Sequence, residues 1–142
     1  MNVDPSKSSV KFDYKEDCKV IKTISLSKFK KDKGQIIDTP LKASLLYSPE
    51  AKSYHITIES ITTHTNLFSG LILPVKSEFK MLHGKKENLE IRCFKINNST
   101  KKLESFIIKI QTSGEEEEIN QVFEIVRQMC EGSFEWKEEK DE

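Results

Sequence analysis

The fold of this chain is decided by two stretches, Leu89-Glu-Ile-Arg-Cys-Phe-Lys-Ile96 and Leu103-Glu-Ser-Phe-Ile-Ile-Lys-Ile110, which lead into a third, Glu115–Cys130. The first two alternate apolar with polar residues, the period of half-buried β-strands, and Asn97–Thr100 joins them as a turn. The apolar positions of the first stretch change face after Cys93, which predicts a β-bulge there. The end of the chain therefore predicts two paired strands followed by one helix.

The third stretch has the sequence of a capped amphipathic helix. Ser113 is the expected N-cap, and Glu116 three residues later completes a capping box. The glutamates Glu115–Glu118 lie at the positive end of the helix dipole, where acidic side chains are stabilising. Gly132 is expected to end the helix in a left-handed conformation. One apolar stripe at helical spacing is expected to cover the sheet, formed by Ile119, Val122, Phe123, Val126, Met129 and Cys130.

Five apolar runs earlier in the chain are predicted to be short strands. They are Val20–Phe29, Leu41–Tyr47, Tyr54–Ile61, Gly70–Val75 and Glu78–Leu82, the last being a separate strand or an extension of the fourth. Residues 62–70 are predicted to form a loop, and Pro74 confines its strand to a sheet edge. No helical period separates the strands, which excludes a βαβ sheet. We therefore predict a mainly β (α+β) fold: about seven antiparallel strands in a sandwich or barrel, capped by one C-terminal helix.

A chain of 142 residues suits one domain with a core that needs neither disulfides nor metals. We divide it into a polar lead-in over residues 1–18, a folded domain over 19–132 and an acidic, aromatic tail over 133–142. The lead-in is expected to be flexible, or to dock as a short strand, since its few apolar residues alternate.

The cysteines indicate the compartment. Cys18, Cys93 and Cys130 are far apart and form no C-x-x-C pair, which favours a reducing setting over a disulfide scaffold or zinc site. Met1–Val10 contains no apolar stretch, so no secretory signal is predicted, and no apolar run approaches the ~20 residues of a membrane span. We expect an intracellular protein, cytoplasmic or nuclear, that is not transmembrane. Because the chain ends among charged residues, we also expect it to be part of a larger protein or complex.

A net charge of zero conceals a strong asymmetry. Residues 1–111 contain 20 Lys and Arg against 12 Asp and Glu, a net charge of +8. Residues 112–142 contain 3 against 11, a net charge of −8. Separated charge of this kind bears on the choice of partner and on association rates more than on the fold.

The order of strands and helix resembles the pleckstrin-homology-like superfold, in which two curved, nearly orthogonal antiparallel sheets are capped at one end by a C-terminal helix. The resemblance is carried by Leu89–Ile96, by Phe106-Ile-Ile-Lys-Ile110, and by Ser113 with the helical stripe after it. It covers roughly residues 19–132 and contains no specific motif.

This resemblance has two implications for structure and binding. The final helix is expected to insert one large aromatic side chain into the barrel, for which Phe123 is the candidate, with Val126 and Met129 as further core residues. Domains of this superfold commonly bind proteins through an exposed strand edge or the groove beside the helix. Pairing at a strand edge uses main-chain hydrogen bonds and needs no sequence motif.

The densest basic segment is Lys28-Phe-Lys-Lys-Asp-Lys33. In the resembled family, the loop after the first strand often holds phosphoinositide headgroups through a Lys, then a basic residue, a spacer and an Arg. Lys28 and Lys42 match the first two positions, but Ser44 stands where the Arg is expected, so a bidentate contact is lost. The alternative is an ordinary solvated loop. The candidate residues for binding an anion or a partner are Lys28, Lys30, Lys31, Lys33 and Lys42.

Motifs for catalysis are missing. His55, His64 and His83 show no metal-ligand or catalytic spacing, and there is neither a phosphate-binding loop nor a nucleophile motif. We therefore expect no enzyme, no metal and no cofactor. Arg92 and Arg127 are the only arginines, which speaks against sequence-specific DNA recognition.

The tail contains Phe134 and Trp136, the only tryptophan, within an acidic stretch. These aromatic residues are expected either to fold back onto the domain or to anchor a ligand segment whose acidic residues approach a basic partner. The sequence as a whole favours a non-catalytic protein-interaction domain that binds another protein or peptide. The alternatives are membrane recruitment through an anionic lipid headgroup, and a histone- or chromatin-associated module that uses the tail.

Overall fold

The computed structural model of this chain describes residues 18–135, which form seven β-strands and one α-helix. The elements are β1 (Lys19–Lys31), β2 (Leu41–Ser48), β3 (Ser53–Ser60), β4 (Asn66–Ile72), β5 (Phe79–Leu82), β6 (Lys85–Asn97), β7 (Lys102–Ser113) and α1 (Glu116–Glu131). The strands lie in the order β4-β3-β2-β1-β7-β6-β5, and an additional pairing of β4 with β6 closes six of them into a barrel. The predicted mainly β fold with one C-terminal helix is confirmed.

Strand β1 belongs to both halves of the barrel, because its first half pairs with β2 and its second half with β7. The pairing with β7 is interrupted by a β-bulge between Leu26 and Lys28, where Ser27 is the extra residue. An extra residue changes which side chains face inward. Phe29 is therefore the next buried residue after Leu26, and Lys28 is exposed.

The barrel closes where Leu71 of β4 pairs with Phe94 of β6. The neighbouring Gly70 is buried in this seam, and a Cβ atom there would lie 3.0 Å from the Cβ of Cys93 and from the ring of Phe68. A side chain at this position would push the two strands apart, so the glycine permits their close approach.

The bulge predicted near Cys93 is wrong. The β6–β7 register runs without interruption from Asn88 to Asn97. Phe94 is apolar although it lies on the face opposite Cys93, because it pairs with Leu71 at the seam and is half-buried there. Both faces of β6 contact protein at this point. An apolar residue on the face opposite Cys93 therefore does not require a bulge.

The fourth predicted strand is misplaced. β4 begins at Asn66, inside the predicted loop, because Phe68 pairs with Ile58 of β3 and is buried. The strand ends at Ile72, before Pro74. Burial of a phenylalanine ring outweighs the turn-forming Thr and Asn residues that precede it.

The helix begins later than predicted, and the capping box at Ser113 is wrong. Ser113 is the last residue of β7 and pairs with Ser25 of β1, so its backbone is held in the sheet. Gly114 turns the chain with a φ of 127°, and Glu115 is the N-cap, without a side-chain capping bond. The predicted stop is confirmed, since Gly132 caps the C-terminus with a left-handed φ of 85°.

The helix packs against β1, β5 and β6 and closes one end of the barrel. Its buried side chains are Val122, Val126, Met129 and Cys130. Phe123, the candidate for the inserted aromatic, is half-buried, and its ring packs on that of Phe79 in β5 with centroids 5.4 Å apart. Because β5 lies alongside the helix here, Phe123 contacts this strand at the edge of the barrel. The aliphatic and sulfur-containing side chains of the helix fill the barrel interior instead.

We expect Met129→Ala to destabilise the protein by about 2–5 kcal/mol, because it removes a fully buried side chain. Phe123→Ala should cost less than Met129→Ala, since its ring is half-exposed. Chemical denaturation measures both values, and Gln121→Ala on the exposed face of the helix is the control, expected within about 0.5 kcal/mol of wild type. A larger loss for Phe123→Ala than for Met129→Ala would contradict this packing.

His55 is a buried titratable residue in β3, with 5% of its surface exposed. Its Nε2 lies 2.7 Å from the hydroxyl oxygen of Ser53. Burial lowers the pKa of His55 from 6.5 to about 4, because the charged imidazolium is poorly solvated there. The residue is therefore neutral in the folded protein at neutral pH.

This pKa predicts a pH-dependent stability. Between pH 6.5 and pH 4 the unfolded chain binds a proton at His55 that the folded chain does not, so stability falls as the pH falls through this window. We expect a loss of about 2 kcal/mol between pH 7 and pH 5 from this residue alone. Denaturation at both pH values should show this difference for wild type and for the exposed-histidine control His64→Gln, but not for His55→Gln. Equal pH dependence in all three proteins would refute it.

Candidate functional site

The groups that often perform catalysis are dispersed or buried here. Among residues 18–135, no cluster of three His, Cys, Asp or Glu side chains is arranged to hold a metal ion. Burial raises the pKa of Cys93 above its ordinary range, with a further contribution from nearby Cys130, and burial raises the pKa of Cys130 to about 12. Both are protonated thiols at neutral pH and hence poor nucleophiles. Over the same part of the chain, no helix has the length and apolar character to cross a bilayer.

The structure does not bring the five candidate lysines together. Lys28 is exposed on the outside of the sheet, and Lys30 lies beside Lys109 of β7 in the strand register. Lys33 lies in the exposed β1–β2 loop. Lys42 is on β2, where its ammonium lies 3.7 Å from a carboxylate oxygen of Glu59. Lys42 and Ser44 share β2, and Lys28 lies on the neighbouring β1, beyond Leu26, the last residue of β1 that pairs with β2.

The remaining candidate, Lys31, lies at the end of the barrel opposite the helix and shares a site with Lys95. The ammonium of Lys31 lies 5.9 Å from the ring centroid of Phe68 and 5.3 Å from that of Phe106. The ammonium of Lys95 lies 4.8 Å and 5.4 Å from the same two centroids. Two cations thus rest on the same pair of aromatic rings, a favourable electrostatic contact for each of them.

The two ammonium groups form a positively charged pair. Burial lowers the pKa of Lys95, and the nearby charge of Lys31 lowers it further. Between Cys18 and Glu135, no carboxylate lies within 4.0 Å of either ammonium, since the ion pairs found there involve other lysines and Arg127. A bound anion would relieve this repulsion, which makes the pair a candidate anion site.

Sequence reasoning missed Lys95, although a signal for it was present. Leu89, Ile91 and Cys93 are buried at alternate positions of β6, and the same period continued by one step places Lys95 on the inner face. The predicted change of face after Cys93 concealed this position.

A second candidate surface is the free edge of β5. This strand is the last of the sheet and pairs only with β6 within the described residues. The Arg92 amide donates a hydrogen bond to the carbonyl of Glu78. Hydrogen-bonded pairs alternate along antiparallel strands, so the next hydrogen-bonded pair between β5 and β6 is Lys80 with Glu90. The intervening Phe79 and the following Met81 consequently direct their backbone N–H and C=O groups away from β6.

Apolar side chains lie next to this edge. Phe79 packs against Phe123 of the helix, and the ammonium of Lys86 lies 5.3 Å from the Phe123 ring centroid. Met81 of β5 is an exposed apolar residue, at 41% of its surface. The edge thus combines unused main-chain groups with apolar contact area, as required for pairing with an extended peptide.

The tail prediction falls partly outside the described residues. Phe134 is half-buried, its ring packs edge-on against Tyr54 with centroids 5.5 Å apart, and its carbonyl accepts a hydrogen bond from the Tyr54 hydroxyl at 3.3 Å. Trp136 and the acidic residues after it lie outside the described part of the chain.

Comparison with known proteins identifies a fold and no family. No family model matches the chain, and no curated protein matches it. Among solved structures, it is similar to the Ran-binding domain of the nuclear complex component Nup2 from Ashbya gossypii, with a TM-score of 0.52. The sequences are 15% identical, and the match covers 80% of this chain and 96% of that chain. At this identity the likeness shows the fold alone, and that fold is pleckstrin-homology-like.

Proposed function

We propose that this chain is a non-catalytic protein-interaction domain that binds an extended segment of a partner protein along the edge of β5. The observation that carries the proposal is the orientation of the backbone groups of Phe79 and Met81, which point away from the barrel. An added strand would accept and donate main-chain hydrogen bonds there. No catalytic constellation competes with this function among the described residues.

The side chains beside the edge indicate the character of the bound segment. Phe79, Met81 and Phe123 offer apolar contact at positions where a paired strand would place alternate side chains. Lys86 is exposed nearby and favours an acidic residue in the partner, whereas the ammonium of Lys80 already lies 3.7 Å from a carboxylate oxygen of Glu90. We therefore expect an extended peptide with alternating apolar residues and at least one carboxylate.

The likeness in fold supports a protein partner. The similar solved domain is named for its binding of Ran, and it comes from a component of a nuclear complex. By this likeness, Ran is the first protein to test as a partner, and a place within a larger intracellular assembly is the corresponding expectation. Recruitment by phosphoinositide headgroups at Lys28 and Lys42 has less support, because Lys42 pairs with Glu59.

Met81→Pro tests the edge directly. Proline removes the outward N–H of residue 81 without removing a hydrogen bond to β6, and the extended backbone before it tolerates the ring. Short random peptides displayed on phage are selected on the wild-type domain, and the enriched peptides are titrated against the variants. We expect Met81→Pro to weaken binding about tenfold or more, the equivalent of one lost main-chain hydrogen bond at an interface.

Met81→Leu is the matched control, because it keeps the N–H and a similar apolar volume, and it should bind like wild type. Thermal unfolding of each variant checks that the fold is intact. Failure to enrich any peptide, or equal affinity of Met81→Pro and Met81→Leu, would refute binding at this edge. Titration with Ran separately asks whether that protein is a partner, and loss of its binding in Met81→Pro would place Ran on β5.

A further inference from the structure

A row of side chains crosses the outer face of the barrel from β1 to β6. The strand registers align Val20 with Leu46, Leu46 with His55, His55 with Leu71, and Leu71 with Phe94. The last four of these residues each stand directly beside a core residue in the sequence, so their own side chains point away from the barrel interior. We call the five residues the outer row.

The middle of the outer row is buried although it lies outside the core. Leu46 is 4% exposed and His55 is 5% exposed, whereas Val20 at the β1 end is 58% exposed. Leu46 and Cys18 are the two buried apolar residues of the described chain that do not belong to the core cluster. Something other than the core therefore shields these side chains from water.

The helix is not positioned to provide this cover. Between Cys18 and Glu135 it is the element outside the sheet, and it packs against β1, β5 and β6 at one end of the barrel. Leu46 and His55 lie on β2 and β3, whose neighbouring strands pair with them edge to edge. Such pairing leaves the outer face of a strand open. The chain outside the described range, residues 1–17 and 136–142, is left to cover it.

The lead-in is better placed for this than the tail. It joins β1 after Cys18, its last residue, which is buried. Adjacent strands lie about 4.8 Å apart and four extended residues span up to ~14 Å, so Tyr14 can reach β3. The tail leaves the domain at Phe134, whose ring packs on Tyr54, and Tyr54 lies on the face of β3 opposite His55.

The lead-in also has the composition that an apolar row requires. Val10, Phe12 and Tyr14 alternate with Lys11 and Asp13, which gives one apolar face and one charged face. Residues 136–142 contain a single aromatic residue, and the other six are charged. The apolar face of the lead-in therefore offers more contact area to the outer row than the end of the tail does.

We propose that the outer row is the docking surface for the chain's own lead-in, with Val10, Phe12 and Tyr14 packed over Leu46 and His55. Docking of this kind covers an apolar strip on the outside of the barrel that would otherwise face water. Strand β5 contributes no residue to the outer row. The lead-in and a partner on the β5 edge can therefore be bound at the same time.

Nuclear magnetic resonance of the full chain tests the contact through the His55 imidazole. Burial holds the pKa of His55 at about 4, against an ordinary value of 6.5. We expect Phe12→Ser with Tyr14→Ser to expose the ring and to raise its pKa by about 1 or more. The matched control is Lys11→Gln with Asp13→Asn on the charged face, which should leave the pKa of His55 unchanged.

A spin label gives a second reading that removes no apolar side chain. A nitroxide attached at Ser9→Cys should broaden the methyl signals of Leu46 much more than those of Leu82 in β5, because broadening falls steeply with distance. Cys18, Cys93 and Cys130 are buried, and the unsubstituted protein treated with the same reagent is the control for labelling at these positions.

Three outcomes would overturn the proposal. One is an unchanged pKa of His55 in the folded Phe12 and Tyr14 double variant, and another is equal broadening at Leu46 and Leu82. The third is a rise in the pKa of His55 in Trp136→Ser alone, which would assign the cover to the tail. Circular dichroism checks the fold of each variant, and the spin label decides the question if the double variant does not fold.

Discussion

The bulge at Ser27 is the constraint on which the arrangement of this barrel depends. Strand β1 must pair with β2 along its first half and with β7 along its second half, and the extra residue lets it bend between them. It also resets the alternation of side chains, so that Phe29 enters the core and Lys31 reaches the barrel end. Without the bulge, Lys28 and Lys30 would face the interior, where unpaired charge is costly.

The two ends of the barrel are closed by different chemistry. At one end the helix lays aliphatic side chains and a methionine over the core, which is stable without any partner. At the other end, Lys31 and Lys95 cover the rings of Phe68 and Phe106, so a charged pair takes the place of a hydrophobic cap. Aromatic contact partly compensates for the burial of Lys95, and the nearby charge of Lys31 lowers the pKa of Lys95 further.

The local sequence pattern was sufficient to predict elements whose side chains are buried on only one face. The alternation in β7 and the apolar stripe of the helix each identify one buried face, and Gly132 marks the helix end because a left-handed residue is needed there. Prediction from the sequence failed where strand pairing between distant segments outweighs the local preference of a residue. Ser113 looks like an N-cap, yet it pairs with Ser25 in the sheet, and β4 begins within a polar segment because Phe68 is buried.

The sequence by itself therefore determined the class of the fold and the separation of positive from negative charge, since both follow from composition and periodicity. Only the tertiary structure decided which lysines share a site. Lys31 and Lys95 are far apart in the chain, and they meet because two strands end at the same mouth of a closed barrel. The free edge of β5 likewise follows from strand order, which depends on long-range pairing that no local pattern specifies.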